Sequence, residues 1–156
     1  MVVLFLLSKK PAGSVTDSDL DALTKMLIAE TGFDRGEQEM AQIVFVALNR
    51  AKKYKTTAAN IVSPPGRPVV WNTGALYRQR FEAARSNKRW AAAQAFIMQV
   101  LAGAYRNLGA TMFIHPGAMP APPCADNRVA ASTVAGSRCI PEWSVGSRVV
   151  GGAMFT

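Results

Sequence analysis

Between Asp17 and Arg50 two helical patterns follow each other across a single short turn, and no other stretch constrains the fold as much. Leu20, Leu23, Leu27 and Glu30 recur at spacings of three and four, which puts all four on one helix face, away from Asp21 and Lys25. Ser18 followed three residues later by Asp21 predicts a capping box, and Gly32 predicts a left-handed stop. A carboxyl group on an apolar stripe loses solvation when it ionises, so its pKa should rise, as a general acid working near neutral pH requires. Glu30 is therefore the candidate proton donor. The competing reading has it turn out to solvent at the helix end or pair with Arg50.

For the second helix, Asp34 is the expected cap and Glu37 falls in the first turn. Met40, Ala41, Ile43, Val44, Phe45, Val46, Ala47 and Leu48 are apolar on nearly every side, as in a helix that crosses the middle of a core, with Gln38, Gln42 and Asn49 as a polar strip. Arg50 is expected to cap the helix end or to pair with a buried acid.

Glu30-Thr31-Gly32, the acidic turn after it, and the run from Glu39 to Asn49-Arg50 resemble the opening motif of the SleB-like, spore-cortex-lytic cell-wall hydrolases. Gly109 to Pro116 is similar to that family's segment of a small residue, aromatics and a His/Asn-Pro, and Gly146 to Phe155 to its closing Gly-rich strand. The likeness covers about residues 20–155. It implies an α+β fold, a mainly helical lysozyme- or transglycosylase-like domain with a small antiparallel sheet. It also implies that Glu30 is the catalytic glutamate and peptidoglycan the substrate. The turn after Glu30 is longer than the family's, and both Asp34 and Glu37 are candidates for its second acidic position.

At 156 residues with 49% hydrophobic content, the chain suits one domain, residues 16–156, preceded by an arm and linker over 1–15. Met1 to Leu7 is apolar but far shorter than the roughly 20 residues of a membrane span, and charge follows it instead of preceding it as in a signal peptide. Such an arm is expected to dock on another protein or to add to a sheet edge. A wall enzyme of this kind would then reach its extracytoplasmic polymer as part of a phage tail, baseplate or similar virion-associated assembly.

The net charge of +8 favours an acidic polymer, and peptidoglycan, wall teichoic acid, anionic lipid and nucleic acid all qualify. Nucleic acid is not the expected partner, because the basic residues are scattered and carry no helix-turn-helix, zinc or aromatic-Gly signature. One histidine and no C-x-x-C leave no metal site, and no cofactor is expected. Cys124 and Cys139 fall in a Pro/Ala/Ser/Gly-rich segment with little regular-structure signal. A disulfide between them is the expected state, one that would staple a long surface loop and stabilise it by roughly 3 kcal/mol. Two buried thiols are the other reading.

Leu76, Tyr77, Arg80, Phe81 and Ala84 mark a third long helix, and Ser86 is expected to cap another that carries Trp90, Phe96, Ile97 and Val100 on to Gly109. These stripes read as core. Thr111 to Ile114 and Val149 to Phe155 read as strands, the second interrupted at Gly151-Gly152. Trp71, Asn72, Tyr77, His115 and Trp143 adjoin loops and are candidates for stacking on sugar rings and bonding hydroxyls, each with a rim-of-core reading beside it.

Glycosidic cleavage needs an acid for the leaving oxygen and usually a second carboxylate, for which Asp34, Glu37, Glu39 and Glu82 are the candidates. A lytic transglycosylase needs only the one glutamate, because the muramic acid hydroxyl is the nucleophile. That mechanism is the expected one, with plain hydrolysis behind it. A non-catalytic peptidoglycan-binding or structural tail module is the alternative from another class.

Overall fold

The computed structural model describes residues 15–66 and 75–156. The expected arm and linker up to residue 14 lie outside the described residues, as do Trp71 and Asn72. Helix α1 spans Asp17–Thr31 and α2 spans Glu37–Lys53, joined by the turn that carries Gly32 in the left-handed region at φ 64°. A short α3, Ala58–Val62, follows, then α4, Ala75–Ser86, and α5, Arg89–Leu101. The remaining chain makes strands β1, Phe113–Ile114, β2, Arg128–Thr133, β3, Gly136–Pro141, β4, Arg148–Val150, and β5, Ala153–Phe155. The fold class is α+β, mainly helical with a small antiparallel sheet.

The cap of α1 differs from the sequence reading. Thr16, not Ser18, is the N-cap: Thr16 Oγ1 accepts from the Asp19 N–H at 3.1 Å, and Asp19 Oδ2 accepts from the Thr16 N–H at 3.0 Å. Asp21 instead pairs with Lys25 across one turn at 3.0 Å. Buried Asp19 reaches further, its Oδ1 accepting from the Ala59 N–H at 2.8 Å, so one carboxylate caps α1 and holds the start of α3. Asp34 likewise does not cap α2, whose N-cap is Gly36 without a side-chain bond. Ser86 ends α4, and the side chain that reaches α5 is that of Asn87, which accepts from the Arg89 N–H at 3.1 Å. Helix α5 stops at Leu101, well before Gly109, with Gly103 at φ 88° just beyond.

The core lies where α1, α2 and α5 meet. Leu23, Leu27 and Ile28 pack with Ile43, Val44, Ile97 and Val100, all fully buried, and each such side chain contributes about 1.5–3 kcal/mol. Phe96 and Ile97 belong to this core, as their stripe implied. Gln42, expected on a polar strip, is buried. Its Nε2 donates to the Arg106 carbonyl at 2.8 Å and its Oε1 accepts from the Leu108 N–H at 3.2 Å, which pins the segment after α5 onto α2. Asn49 continues that tether, donating to the Ala110 carbonyl at 2.8 Å. Arg50 is exposed in the last turn of α2, where a cation complements the helix dipole, and forms no ion pair with an acid among the described residues.

Strand β5 is central in one sheet, in the order β1-β5-β4, with Phe113 opposite Phe155 and Val150 opposite Ala153. Gly151-Gly152, expected to interrupt a strand, forms the turn between β4 and β5. The segment expected as an irregular loop is a second sheet: β2 and β3 pair antiparallel from Arg128–Pro141 to Thr133–Gly136. Cys124 and Cys139 are bridged, with Cα atoms 5.4 Å apart, so the disulfide fixes buried Cys139 of β3 to the strand-free chain before β2. No helix among the described residues is long and apolar enough to cross a membrane.

Candidate active-site cleft at the end of the first helix

Glu30 sits in the last turn of α1, half-buried, on the wall of a cleft of about 320 Å³. The cleft is lined by the α1–α2 turn, including Asp34 and Arg35, and by the α4–α5 corner, including Arg80, Asn87 and Arg89. The period that puts Glu30 beside the core leucines also brings its carboxyl out at the helix end, where this corner closes over it. Burial pushes the Glu30 carboxyl above the usual carboxylate range, and the Arg80 guanidinium opposes that rise without cancelling it. Glu30 faces Arg80 and not Arg50.

Two arginines are anchored on main-chain carbonyls from the end of α1. Arg80 Nη1 donates to the Ala29 carbonyl at 2.8 Å, and Arg89 Nη1 donates to the Gly32 carbonyl at 3.3 Å. Carbonyls of a last helical turn lack intrahelical partners, so the two guanidiniums satisfy them. Among the described residues neither arginine forms an ion pair with Glu30 or Asp34.

The other predicted site residues separate. Asp34 shares the cleft with Glu30. Glu37 does not: it is exposed in the first turn of α2 and accepts from the Tyr105 hydroxyl at 2.9 Å. That bond, foremost, holds the Tyr105 phenol above its ordinary pKa. Glu82 is exposed on α4 and is not part of the cleft wall. Half-buried Tyr77 carries the Arg80 guanidinium over its ring, 5.8 Å from the centroid, and is not itself part of the cleft wall. His115 lies away from it, after β1, with Nδ1 3.5 Å from Glu39 Oε1, and the ring packs edge-on against Phe113. Desolvation pushes the imidazole pKa down; Glu39 opposes and Arg35 assists. Trp143 is 42% exposed in a separate, wider depression of about 670 Å³ with Asn127, Arg128, Pro141 and Glu142. That depression is larger but lies apart from the buried acid.

Glu39 is only 3% exposed, which removes it from direct contact with a polymer. Its Oε2 accepts from the Gly152 N–H at 2.9 Å, a bond spanning helix and sheet that no local pattern announces. Arg80 and Arg89 were equally hidden in the sequence, since their contacts to α1 cross 51 and 57 residues. Among the described residues no cluster of three His, Cys, Asp or Glu side chains could hold a metal ion. Comparison of the chain with protein-family models, with curated proteins and with solved structures finds no match.

Proposed function

We propose that this protein cleaves the glycan strand of peptidoglycan, in the manner of a lysozyme- or transglycosylase-like enzyme, with Glu30 as its acid and base. The observation that carries the reading is a carboxyl on the wall of a polar cleft, beside Arg80, whose burial raises its pKa above the usual carboxylate range. The resemblance of Glu30-Thr31-Gly32, the Asn49-Arg50 helix end and the Gly109 to Pro116 segment to SleB-like cell-wall hydrolases points the same way.

In the transglycosylase route the Glu30 carboxyl gives its proton to the glycosidic oxygen as the C1–O bond breaks. The muramic acid C6 hydroxyl then bonds to C1 and its proton returns to the Glu30 carboxylate, so the enzyme is regenerated without water. Asp34 in the same cleft supports plain hydrolysis as the second route, in which it would orient a water. The disulfide is compatible with work outside the cytoplasm. The apolar arm, Val2 to Leu7, is the proposed attachment to a carrying phage-tail or baseplate assembly.

Digestion of purified sacculi with mass spectrometry of the products tests the reading. Anhydro-muropeptides identify the transglycosylase and reducing ends the hydrolase. Binding without release would make the protein a non-catalytic module and overturn the assignment of Glu30.

A further inference from the structure

We propose that Arg80 and Arg89 bind a carboxylate of the substrate beside the scissile bond, so that the cleft selects acidic glycan over neutral glycan. The inference rests on the glycan-cleaving reading above and names what that site recognises. Each guanidinium has five N–H donors in a planar fork, and the contacts to the Ala29 and Gly32 carbonyls orient the forks while committing one nitrogen of each. A fork oriented this way is preorganised for a two-oxygen acceptor. Arg35 lines the same wall but also lies beside the sheet, with its Nη1 about 3.4 Å from where a Cβ on Gly152 would stand and its charge acting on His115.

Charge decides the ligand class. The cleft wall carries Arg35, Arg80 and Arg89 against Glu30 and Asp34, burial disfavours the charge on Glu30, and among the described residues neither Arg80 nor Arg89 is ion-paired to either carboxylate. A neutral sugar polymer would leave that excess unanswered, whereas peptidoglycan carries free carboxylates on its stem peptides, and on the lactyl group where the peptide has been removed. A carboxylate on Arg80 would also offset the one charge that opposes protonation of Glu30, so binding would ready the acid.

The test titrates the Glu30→Gln protein calorimetrically with three probes: a disaccharide–dipeptide muropeptide, its carboxyl-amidated form, and the peptide-free disaccharide, whose lactyl carboxyl is free because no peptide is amide-linked to it. Amidation should weaken binding about tenfold or more. Arg89→Gln should weaken the native muropeptide similarly and lose the discrimination, and Arg89→Lys should restore only part of it. Full affinity for the peptide-free probe assigns a lactyl carboxylate of peptide-stripped strands, and its loss assigns the stem peptide. Equal affinity for native and amidated probes, discrimination surviving in Arg89→Gln, or no binding of any probe overturns the proposal. The probe comparison needs no arginine variant, so it stands even if Arg89→Gln fails to fold. Unaltered protein that digests native and amidated sacculi with the same KM leaves the glycan-cleaving reading intact and removes only this inference. Selective binding without any cleavage does the reverse.

Discussion

Glu30 occupies the end of an apolar stripe where the core stops and the cleft begins, and that position sets both its chemistry and its cost. Because burial raises its pKa, the protonated form is favoured in the folded state; the associated stability is fully present below the unfolded pKa and is lost as pH rises through the folded one. Activity follows the same sign. Turnover on sacculi should fall as pH rises through the raised pKa, and Arg80→Gln, by removing the opposing charge, should move that limb to higher pH in a kcat–pH profile. A limb that moves to lower pH would contradict the electrostatics described. Glu30→Gln should reduce turnover at least about a hundredfold while leaving the thermal transition unchanged or raised at alkaline pH, since the amide needs no proton to stay buried. Wild-type clearance of sacculus turbidity by this variant would remove Glu30 from the mechanism.

Asp19 shows how a single side chain can organise two helices. Desolvation pushes its pKa up, but the hydrogen bonds from Thr16, Ala59 and Ala58 together outweigh that and lower it, so its contribution to stability is present above the unfolded pKa and lost as pH falls through the folded one. Asp19→Ala strands the Thr16 and Ala59 N–H groups together and should cost about 2–3 kcal/mol in denaturant unfolding at neutral pH. A loss below about 0.5 kcal/mol would mean that water replaces the carboxylate at both sites. The sequence announced α1 through its leucine period and Gly32, yet not this cap, because Ser18 and Asp21 match the same local signature only two residues along. The β2–β3 hairpin stayed hidden for a different reason. Its strands, Arg-Val-Ala-Ala-Ser-Thr and Gly-Ser-Arg-Cys-Ile-Pro, lack strict alternation of apolar and polar residues, its two-residue loop is Val134-Ala135 instead of an Asn-Gly type, and the pairing is secured by a disulfide from outside the hairpin. The bridge itself was legible, since only two cysteines exist. Reduction should therefore loosen the hairpin ahead of the helical core, seen as hydrogen exchange rising in Arg128–Thr133 while α2 keeps its protection.

Helices and sheet are joined by a contact that neither layer specifies alone. Glu39, in the first turn of α2, is buried against the β4–β5 turn and takes the Gly152 N–H, while Ala153 and Phe155 of β5 enter the same core as Ile43 and Ile97. Gly151 makes this approach possible: its φ of 59° is left-handed, and a Cβ there would collide with the Glu39 carboxylate. The cleft depends on that junction through Arg35, which lines the cleft and also packs beside Gly152. Gly151→Ala combines left-handed strain of about 1–2 kcal/mol with displacement of a buried carboxylate, and should lower the melting temperature by about 5–10 °C. Gly152→Ala is the matched control, because its Cβ would meet Arg35 Nη1 at 3.4 Å and Glu39 Oε2 at 3.8 Å, ordinary contacts at the ends of side chains able to yield. It should shift the transition by no more than about 2–3 °C. Thermal denaturation of both variants decides the matter: if Gly151→Ala melts with the wild type, the turn and Glu39 separate readily, and the helix–sheet junction is not held by the close approach of these two groups.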